Sequence, residues 1–348
     1  MSTYSSNTFN SSSYNSFRPT YPPEFFNYVM EYHNAGEIKP DVNQVHLDIG
    51  CGTGQAVIPL ISNFKHTIAS DPSEVMINIA RERVLENQNQ NQNSKELNSV
   101  EFLISPAEDL SAIKDSSVDL VTAAECVHWL DHDKFLGESY RVLKSGGTLA
   151  YWLYNESIFQ GPESDVANKI YNKFIYQDER YMQTYWEQPG KSKFREFLSS
   201  CNAELKKQSK DSTEFQNDGQ IIENISDNSS DNELKFHNTK IQIFNQSNLS
   251  NLEIKSDIVE NKGDFQKNHL NFKFLIISKQ MTLDNFMNFI KTHSALHTWY
   301  VNNPNVIKGS SDDLVEIMRN EFILKCGWDN HKIIEIIWDS TCVFTKKI

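Results

Sequence analysis

The feature that most constrains the fold is an alternation of strand-like and helix-like segments between Gln44 and Tyr154. Short apolar runs of strand length alternate with longer stretches in which apolar residues recur at helical spacing. Parallel strands joined by helices produce this pattern, and the helices then cover both faces of the sheet. The sequence therefore predicts a doubly wound, Rossmann-like α/β sheet that is mostly parallel.

Two polar tracts interrupt this pattern. Asn87–Asn93 reads NQNQNQN and is predicted to expand a loop, and residues 202–268 are rich in Asn, Ser, Gln, Asp and Lys. Such segments bury too little apolar surface to offset the entropy lost on ordering them. The longer tract is therefore predicted to be a disordered, mobile insertion, with one strand in LKFHNTKIQIF.

Regular structure is predicted to return after this insertion. Thr282 is placed to cap a helix on which Phe286, Phe289 and His293 follow at helical intervals, and another helix is predicted over residues 311–325. The chain ends in KIIEIIWDSTCVFTKK, where two β-branched runs are separated by Asp-Ser. These runs predict a terminal pair of strands that extends the sheet, with an antiparallel strand at the C-terminus.

The charge balance excludes some classes of partner. The chain has 46 acidic and 33 basic residues, a net charge of -13, and no stripe of Lys and Arg on a periodic segment. This argues against a nucleic-acid surface and against an anionic membrane surface. The N-terminus lacks the pattern of a secretory signal, and no apolar run approaches the roughly 20 residues that span a bilayer. We expect a soluble, cytoplasmic protein that is a monomer.

The spacing of cysteines and histidines predicts no metal site. The 5 cysteines are far apart and form no CxxC pair, which also argues against a disulfide framework. His293 and His297 lie four residues apart on the face of a predicted helix, but no third ligand follows at a suitable spacing. Packing is therefore the expected role of this pair.

A glycine-rich turn lies where the first strand gives way to the first helix, in HLDIGCGTGQ. Gly50, Gly52 and Gly54 leave no side chain in the turn, so that a ligand can approach the backbone closely. The GxGxG spacing differs from the GxGxxG of dinucleotide sites, and no GK[ST] follows as it would in a P-loop. An acid, Asp48, precedes the first glycine by two positions. Since several classes of nucleotide and methyl-donor protein use such a turn, the turn alone does not choose among them.

A second acid, Asp71, ends the second predicted strand in IASDPSEVM. In such sheets an acid at this place faces the crevice and can accept both hydrogen bonds of a ribose diol. The alternative is a turn residue before Pro72. After the third strand, SPAEDL puts Ala107 and Glu108 where the edge of an adenine would lie, although a plain helix start also explains this segment.

The fourth predicted strand ends in an unusual set of side chains, in VDLVTAAECVHWLDHDKF. Glu125, His128 and Trp129 follow the apolar run at once, whereas a structural turn would use Gly, Asn, Asp or Pro. Because such sheets bind ligands at the carboxyl ends of their strands, these three residues are predicted to line the ligand cavity. The alternative is that His128 and Trp129 pack against the next helix.

Three stretches resemble motifs of the class I S-adenosylmethionine-dependent methyltransferases. They are LDIGCGTGQ, IASDPSEVM and SGGTLAYWLY. Other stretches resemble a narrower group, the fungal trans-aconitate methyltransferases and their cantharidin-methylating relatives. These are FNSSSYNSFRPTYP, ECVHWLDHDKF, YWEQPGKSKFR, KQMTLDNFMNFIKTHSALHTW and IEIIWDS. Together the motifs cover nearly the whole chain except the two polar tracts.

The resemblance implies S-adenosylmethionine as the cofactor and a division of the chain into four parts. A cap segment is expected over residues 1–40, a donor-binding core over 41–155, a substrate cap over 156–271, and helices and strands that complete the sheet over 272–348. The implied donor-binding residues are Tyr14, Arg18, Asp48, Gly50, Gly52, Gly54, Gln55, Asp71, Ala107, Glu108 and Glu125. The implied substrate-binding residues are Tyr21, His128, Trp129, Tyr185, Trp186 and Arg195, with Lys191 nearby.

The activity that the resemblance implies is formation of a methyl ester on a small di- or tricarboxylic acid such as trans-aconitate. A carboxylate nucleophile is ionised well below neutral pH, so no general base is assigned. The carboxylates that do not react need cationic partners, for which the fork of Arg18 or Arg195 is suited. One alternative is methyl transfer to a phenol, an amine or carbon, in which only His128 or Glu125 could act as the base. Another is a donor-binding regulator without activity.

Overall fold

A computed structural model describes residues 16–34, 45–90, 99–188, 190, 221–223, 236–244 and 277–347. These residues divide into two compact units. The core unit contains residues 21–34, 45–90, 99–155, 221–223, 236–244 and 339–347. The helical unit contains residues 16–20, 156–188, 190 and 277–338. Tyr14, Lys191, Arg195 and most of the tract over 202–268 lie outside the described residues.

The regular elements follow the alternation that the sequence predicts. The described strands are β1 (Val45–Ile49), β2 (His66–Asp71), β3 (Ser99–Ile104), β4 (Val118–Ala124), β5 (Leu143–Phe159), β6 (Ile221–Glu223), β7 (Phe236–Phe244), β8 (Ile277–Thr282) and β9 (Ile333–Lys347). The described α-helices are α1 (Pro23–Asn34), α2 (Val57–Leu60), α3 (Glu74–Gln90), α4 (His132–Val142), α5 (Ser164–Asn172), α6 (Leu283–Ile290), α7 (Ser294–Asn302) and α8 (Leu314–Cys326). Tighter or wider helical turns lie at Ile61–Asn63, Val127–Trp129, Lys173–Gln177 and Gln183–Tyr185.

The strands form a mixed sheet in the order β3-β2-β1-β4-β5-β9-β7-β6, and β8 pairs with β9. β1 pairs in parallel with β2 and β4, β2 with β3, and β4 with β5. β9 is antiparallel to both β7 and β8. The predicted Rossmann-like sheet, mostly parallel with an antiparallel C-terminal strand, is confirmed. The strand predicted in LKFHNTKIQIF is confirmed as β7.

The predicted terminal pair of strands is wrong, because the chain does not turn at Asp339 and Ser340. The two β-branched runs belong to a single strand, β9. The first run pairs with β8 as far as Trp338, and the second pairs with β7 from Ser340 onward. The Asp-Ser step therefore marks a change of partner strand, which a sequence pattern cannot distinguish from a turn.

The core unit buries its sheet on both faces. Ile68 and Ala69 are neighbours on β2, so their side chains point to opposite faces. Ile68 packs in one apolar cluster, together with Phe135 and Val142 of α4, whereas Ala69 packs in another. Helices thus cover both faces, as the doubly wound prediction requires.

Side-chain caps fix the ends of several helices. The Oγ atom of Ser73 accepts a hydrogen bond from the backbone N–H of Met76, and Oγ1 of Thr282 accepts one from the N–H of Asn285, which confirms the cap predicted at Thr282. Asp313 caps α8 by accepting from the N–H of Val315. Within the described residues, no helix is long and apolar enough to cross a membrane.

Two helix boundaries differ from the prediction. α3 continues to Gln90, so the first half of the NQNQNQN tract is helical rather than a loop. The helix that begins after Thr282 ends at Ile290, and His293 is the N-cap residue of α7. His293 and His297 therefore do not share the face of one helix, because a helix N-cap has an extended backbone.

Candidate functional site

The glycine turn adopts the backbone that the sequence predicts. Gly50, Gly52 and Gly54 have φ angles of 62°, 52° and 83°, in the left-handed region that favours glycine. A Cβ atom on Gly50 would lie 2.8 Å from Cβ and Sγ of Cys126. A Cβ atom on Gly52 would meet nothing within 4 Å. Gly50 is therefore required by packing, whereas Gly52 leaves open space next to the backbone, where a ligand can approach.

Gly52→Ala tests this distinction. We expect the variant to fold with a loss of about 1–2 kcal/mol, because an alanine in the left-handed region is strained without a clash. Donor affinity should fall by at least about tenfold, since the methyl group enters the space left for the ligand. Calorimetric titration with S-adenosylhomocysteine and thermal denaturation separate the two effects. Gly327→Ala is a matched control, because Gly327 has φ 69° and also has no atom within 4 Å of a Cβ position.

Asp48, the penultimate residue of β1, is a buried carboxylate with one oxygen available. Its Oδ1 accepts a hydrogen bond from Oγ1 of Thr122 at 2.5 Å, and its Oδ2 finds no hydrogen-bond partner among the described residues. Burial raises the pKa of Asp48 to about 7; the hydrogen bond from Thr122 opposes this shift, and the charge of Asp71 adds to it. A buried carboxylate of this kind fits a cationic hydrogen-bond donor, which would satisfy Oδ2 and favour the ionised form.

Asp71 fastens the glycine turn to the start of α3. Its Oδ2 accepts from the N–H of Gly52 at 2.9 Å, and its Oδ1 accepts from the N–H of Ser73 at 2.8 Å. Burial raises the pKa of Asp71, and these two backbone hydrogen bonds act against that rise. Each carboxylate oxygen has a further lone pair, so Asp71 can also accept from a diol. The structure thus gives Asp71 a structural role that does not exclude the predicted one.

The other residues predicted to bind the donor lie in different kinds of surroundings. Ala107 is buried in the apolar cluster next to α4. Glu108 accepts a hydrogen bond through Oε1 from the N–H of Asp131, the N-cap residue of α4, at 2.8 Å. Gln55 lies half-buried in the glycine turn. Glu108 therefore anchors a helix terminus, which the sequence did not indicate.

Glu125 ties the end of β4 to the middle of β5. Its N–H donates to the carbonyl of Trp152 at 2.9 Å, and its Oε2 accepts from the N–H of Tyr154 at 2.8 Å. Its φ angle is 56°, which is uncommon for a residue other than glycine. Strained backbone of this kind costs on the order of 1–3 kcal/mol and clusters at functional sites. Glu125 is thus held in a fixed, strained position beside the turn that follows β4.

His128 and Trp129 lie in the helical turn that follows Glu125. Their ring centroids are 5.0 Å apart, and both side chains are half-buried. Trp129 packs against the apolar cluster of the core unit. Packing thus accounts for part of the indole surface, in agreement with the alternative given above for His128 and Trp129.

Tyr21 also belongs to the core unit. Its ring meets Trp152 edge to face at a centroid distance of 5.6 Å, and it contacts Phe25 and Phe26 of α1. Trp152 itself is fully buried, and its Nε1 finds no hydrogen-bond acceptor within the described part of the chain. The sequence did not single out Trp152, because a tryptophan in an apolar strand is indistinguishable from core.

In the helical unit, Trp186 is held by contacts on several sides. Its Nε1–H donates to the carbonyl of Ile175 at 2.9 Å, and its ring stacks on Tyr176 with an interplanar angle of 8°. The His293 ring meets Trp186 edge to face, with the ring centroids 5.7 Å apart. Tyr185 is half-buried in the preceding turn. The indole is therefore fixed in orientation, as a wall of a binding site would be.

Arg18 is a buried cation of the same unit, with 9% of its surface exposed. Its Nε donates to Oγ1 of Thr292 at 2.9 Å, and its Nη2 donates to the carbonyl of Thr292 at 3.1 Å. The guanidinium lies over the ring of Phe289 at 5.6 Å. Burial, assisted by the charge of Arg18, lowers the pKa of His293 to about 3, so the imidazole is neutral at physiological pH.

The part of the chain that the structure describes contains no cluster of three or more His, Cys, Asp or Glu that could hold a metal ion.

Several residues at these places escaped the sequence interpretation. They are His46, Thr122, Cys126, Trp152, Tyr154 and Thr292. A polar residue inside an apolar strand, as in LVTAA, is the signal that could have found Thr122. Thr292 carries no such signal, because its partner Arg18 is distant in the sequence.

Comparisons with known proteins agree with this geometry. Residues 47–151 match a family model described as a methyltransferase domain. The chain is 26% identical over 347 residues to a Saccharomyces cerevisiae protein named as an S-adenosylmethionine-dependent methyltransferase, CRG1, and the match covers 99% of this chain and 98% of the relative. Methyltransferase pgmE of Aspergillus terreus is 28% identical over 180 residues, which are 49% of this chain and 52% of the relative. A solved structure from Anaeromyxobacter dehalogenans, described as a type II methyltransferase, shares the fold with a TM-score of 0.54 at 18% identity and covers 95% of this chain and 98% of its own.

The fold, the glycine turn with its two acids and these matches define a class I S-adenosylmethionine-dependent methyltransferase domain in the core unit. The protein is an S-adenosylmethionine-dependent methyltransferase, and S-adenosylmethionine is its cofactor. The site residues fit this cofactor, because Oδ2 of Asp48 is a buried acceptor without a partner among the described residues and Gly52 leaves space beside the backbone.

Proposed function

We propose that this methyltransferase forms a methyl ester on a small di- or tricarboxylic acid of the trans-aconitate type. The observation that carries the proposal is the buried guanidinium of Arg18, which Thr292 holds through both its hydroxyl and its carbonyl. A buried cation oriented in this way favours an anionic ligand, and a planar fork favours a carboxylate. The resemblance of the flanking SFRPTYP stretch to the trans-aconitate group supports the same class of acceptor.

In this proposal the core unit binds the donor. Asp48 accepts a hydrogen bond from the ammonium group of the methionine portion, Gly52 allows close approach to the backbone, and Asp71 accepts from the ribose hydroxyls. S-adenosylmethionine, when bound, supplies an electrophilic methyl group. Glu125 holds the end of β4 to the middle of β5, so that the turn containing His128 and Trp129 keeps its place.

The acceptor requires orientation rather than activation. A carboxylate is already ionised at neutral pH, so no side chain has to remove a proton. Alignment of the reacting groups and exclusion of water are then the main contributions of the protein. Within the helical unit, we assign orientation of a carboxylate that does not react to Arg18 and an apolar wall to Trp186.

The experiment combines purified protein, labelled S-adenosylmethionine and a panel of small acids, phenols and amines. We expect label in a product whose mass corresponds to a monomethyl ester and whose methyl group is released as methanol in base. Transfer only to phenols or amines would contradict the proposal and would direct attention to His128 or Glu125 as a base. Donor binding without transfer to any acceptor would instead favour a regulator.

A further inference from the structure

A hydrogen-bonded row of buried side chains leads from Asp48 into the core unit. Oγ1 of Thr122 lies 2.5 Å from Oδ1 of Asp48 and 2.8 Å from Nε2 of His46. Parallel pairing puts Asp48 opposite Thr122, and His46 shares the strand face of Asp48 because the two are separated by one residue. All three side chains are at most 1% exposed. Water therefore does not compete for these hydrogen bonds.

The number of protons in this row determines which atom donates and which accepts in each hydrogen bond. An ionised carboxylate only accepts hydrogen bonds, so the single proton of the Thr122 hydroxyl points to Asp48. The oxygen of Thr122 must then accept from His46, which makes Nε2 of His46 the protonated ring nitrogen. Nδ1 of His46 finds no partner among the described residues, as expected for the nitrogen without a proton. Burial, with a smaller effect of His33, lowers the pKa of His46 to about 3, so the ring remains neutral.

We propose that His46 is a positioning residue for donor binding: its Nε2–H holds the Thr122 hydroxyl in the orientation that keeps Asp48 ionised for the ammonium group of the donor. The inference rests on the donor site proposed above. His46 acts through Thr122 and needs no contact with the donor. The sequence shows the histidine only as the first letter of HLDIGCG, two positions before the acid.

The other groups around Asp48 make this hydrogen bond necessary. Burial and the charge of Asp71 both raise the pKa of Asp48, and Thr122 is the group that lowers it. Cys51 is buried and Cys126 half-buried nearby, and burial together with the carboxylates raises the pKa of both thiols well above their usual range. Both thiols are therefore uncharged at neutral pH and do not counter the effects of burial and of Asp71 on Asp48. His33, on α1, acts on His46 rather than on Asp48.

The test is the pH dependence of S-adenosylhomocysteine binding, measured by calorimetry between about pH 5.5 and 9. For the wild type we expect affinity to rise about tenfold per pH unit below the pKa of Asp48 and to level off above it. In Thr122→Val the plateau should begin about one to two pH units higher, because the carboxylate loses a charge-assisted hydrogen bond. His46→Phe should shift the profile in the same direction. His46→Gln should restore it, because the amide of Gln is a neutral donor.

Thr67→Val is the matched control. Thr67 lies opposite His46 on β2, is fully buried, and has a hydroxyl with no hydrogen-bond partner among the described residues. Its loss should leave the pH profile unchanged. If Thr122→Val does not fold, His46→Phe and His46→Gln test the same row from its other end.

The outcomes separate this inference from the proposed donor site. Wild-type binding that depends on pH, with the same profile in Thr122→Val and His46→Phe, would overturn the role of His46 and leave the donor site standing. Absence of binding by the wild type, or binding that does not change with pH, would overturn the assignment of Asp48 itself.

Discussion

Asp48→Asn is expected to weaken donor binding by about 100-fold at pH 8, because in the proposed donor site a carboxylate that pairs with the ammonium group is replaced by a neutral amide. Loss of one partner of a buried, hydrogen-bonded charge pair costs about 2–5 kcal/mol. The substitution keeps the size of the side chain and leaves an oxygen that can accept from Thr122. Calorimetric titration with S-adenosylhomocysteine measures the loss.

The same variant is expected to be more stable than the wild type when no donor is bound. Burial raises the pKa of Asp48 from 3.8 to about 7, so the folded state holds a proton that the unfolded state has released. The stability that this group contributes is complete below about pH 4 and is lost as the pH rises through 7. At pH 8 the wild type therefore buries an ionised carboxylate at a cost on the order of a few kcal/mol, which the asparagine avoids.

Denaturation at pH 5 and pH 8 tests whether Asp48→Asn is more stable than the wild type. The gain in the free energy of unfolding should be larger at pH 8. Asp119→Asn is the control, since Asp119 is an equally buried acid that accepts from Lys144 at 2.8 Å and from the N–H of Val45 at 2.9 Å. Its replacement should lower stability without a change in donor affinity. A destabilised Asp48→Asn variant, or one that binds the donor like the wild type, would contradict our account.

Arg18→Ala is expected to raise the KM for the acid by about 100-fold or more and to leave the Kd of the donor unchanged. In the proposed function the buried guanidinium of Arg18 contacts a carboxylate of the acceptor, and such a contact contributes about 2–5 kcal/mol that alanine cannot supply. Arg18→Lys should recover only part of this loss, because an ammonium group lacks the planar fork. Initial rates over a range of acceptor concentrations, together with donor titration, measure the two effects separately.

Arg180→Ala provides the comparison within the same unit. Arg180 is largely exposed and pairs with Asp178, so its removal should change neither parameter. A loss of donor affinity in Arg18→Ala, without a change in the KM for the acid, would instead assign Arg18 to the donor, as the sequence resemblance implies.

Local patterns made the core unit predictable from sequence. β1 to β5 and the helices between them have periodicities that depend on neighbours in the chain, and Gly50, Gly52 and Gly54 occupy the left-handed backbone that only glycine adopts easily. Asp48 and Asp71, near the ends of β1 and β2, could be predicted as site residues for the same reason. Their positions follow from the strand boundaries, which apolar runs define.

Tertiary partners were not predictable. The hydroxyl of Thr122 matters because β4 pairs with β1, and Thr292 matters because a residue 274 positions earlier donates to it. The break before His293 has no proline or glycine in KTH that would mark it in the sequence. Likewise, the continuity of β9 depends on which strands lie beside it. These features depend on contacts between segments that are far apart in the sequence.

The contact between Gly50 and Cys126 joins two motifs that look independent in the sequence. A Cβ atom at position 50 would overlap the side chain at position 126, and the thiol of Cys126 donates to the carbonyl of Ile49 at 3.3 Å. The residue after Glu125 is therefore limited in size by the turn after β1. A substitution in either motif must therefore be accommodated by the other, and a graft of one motif onto another scaffold must carry the other with it.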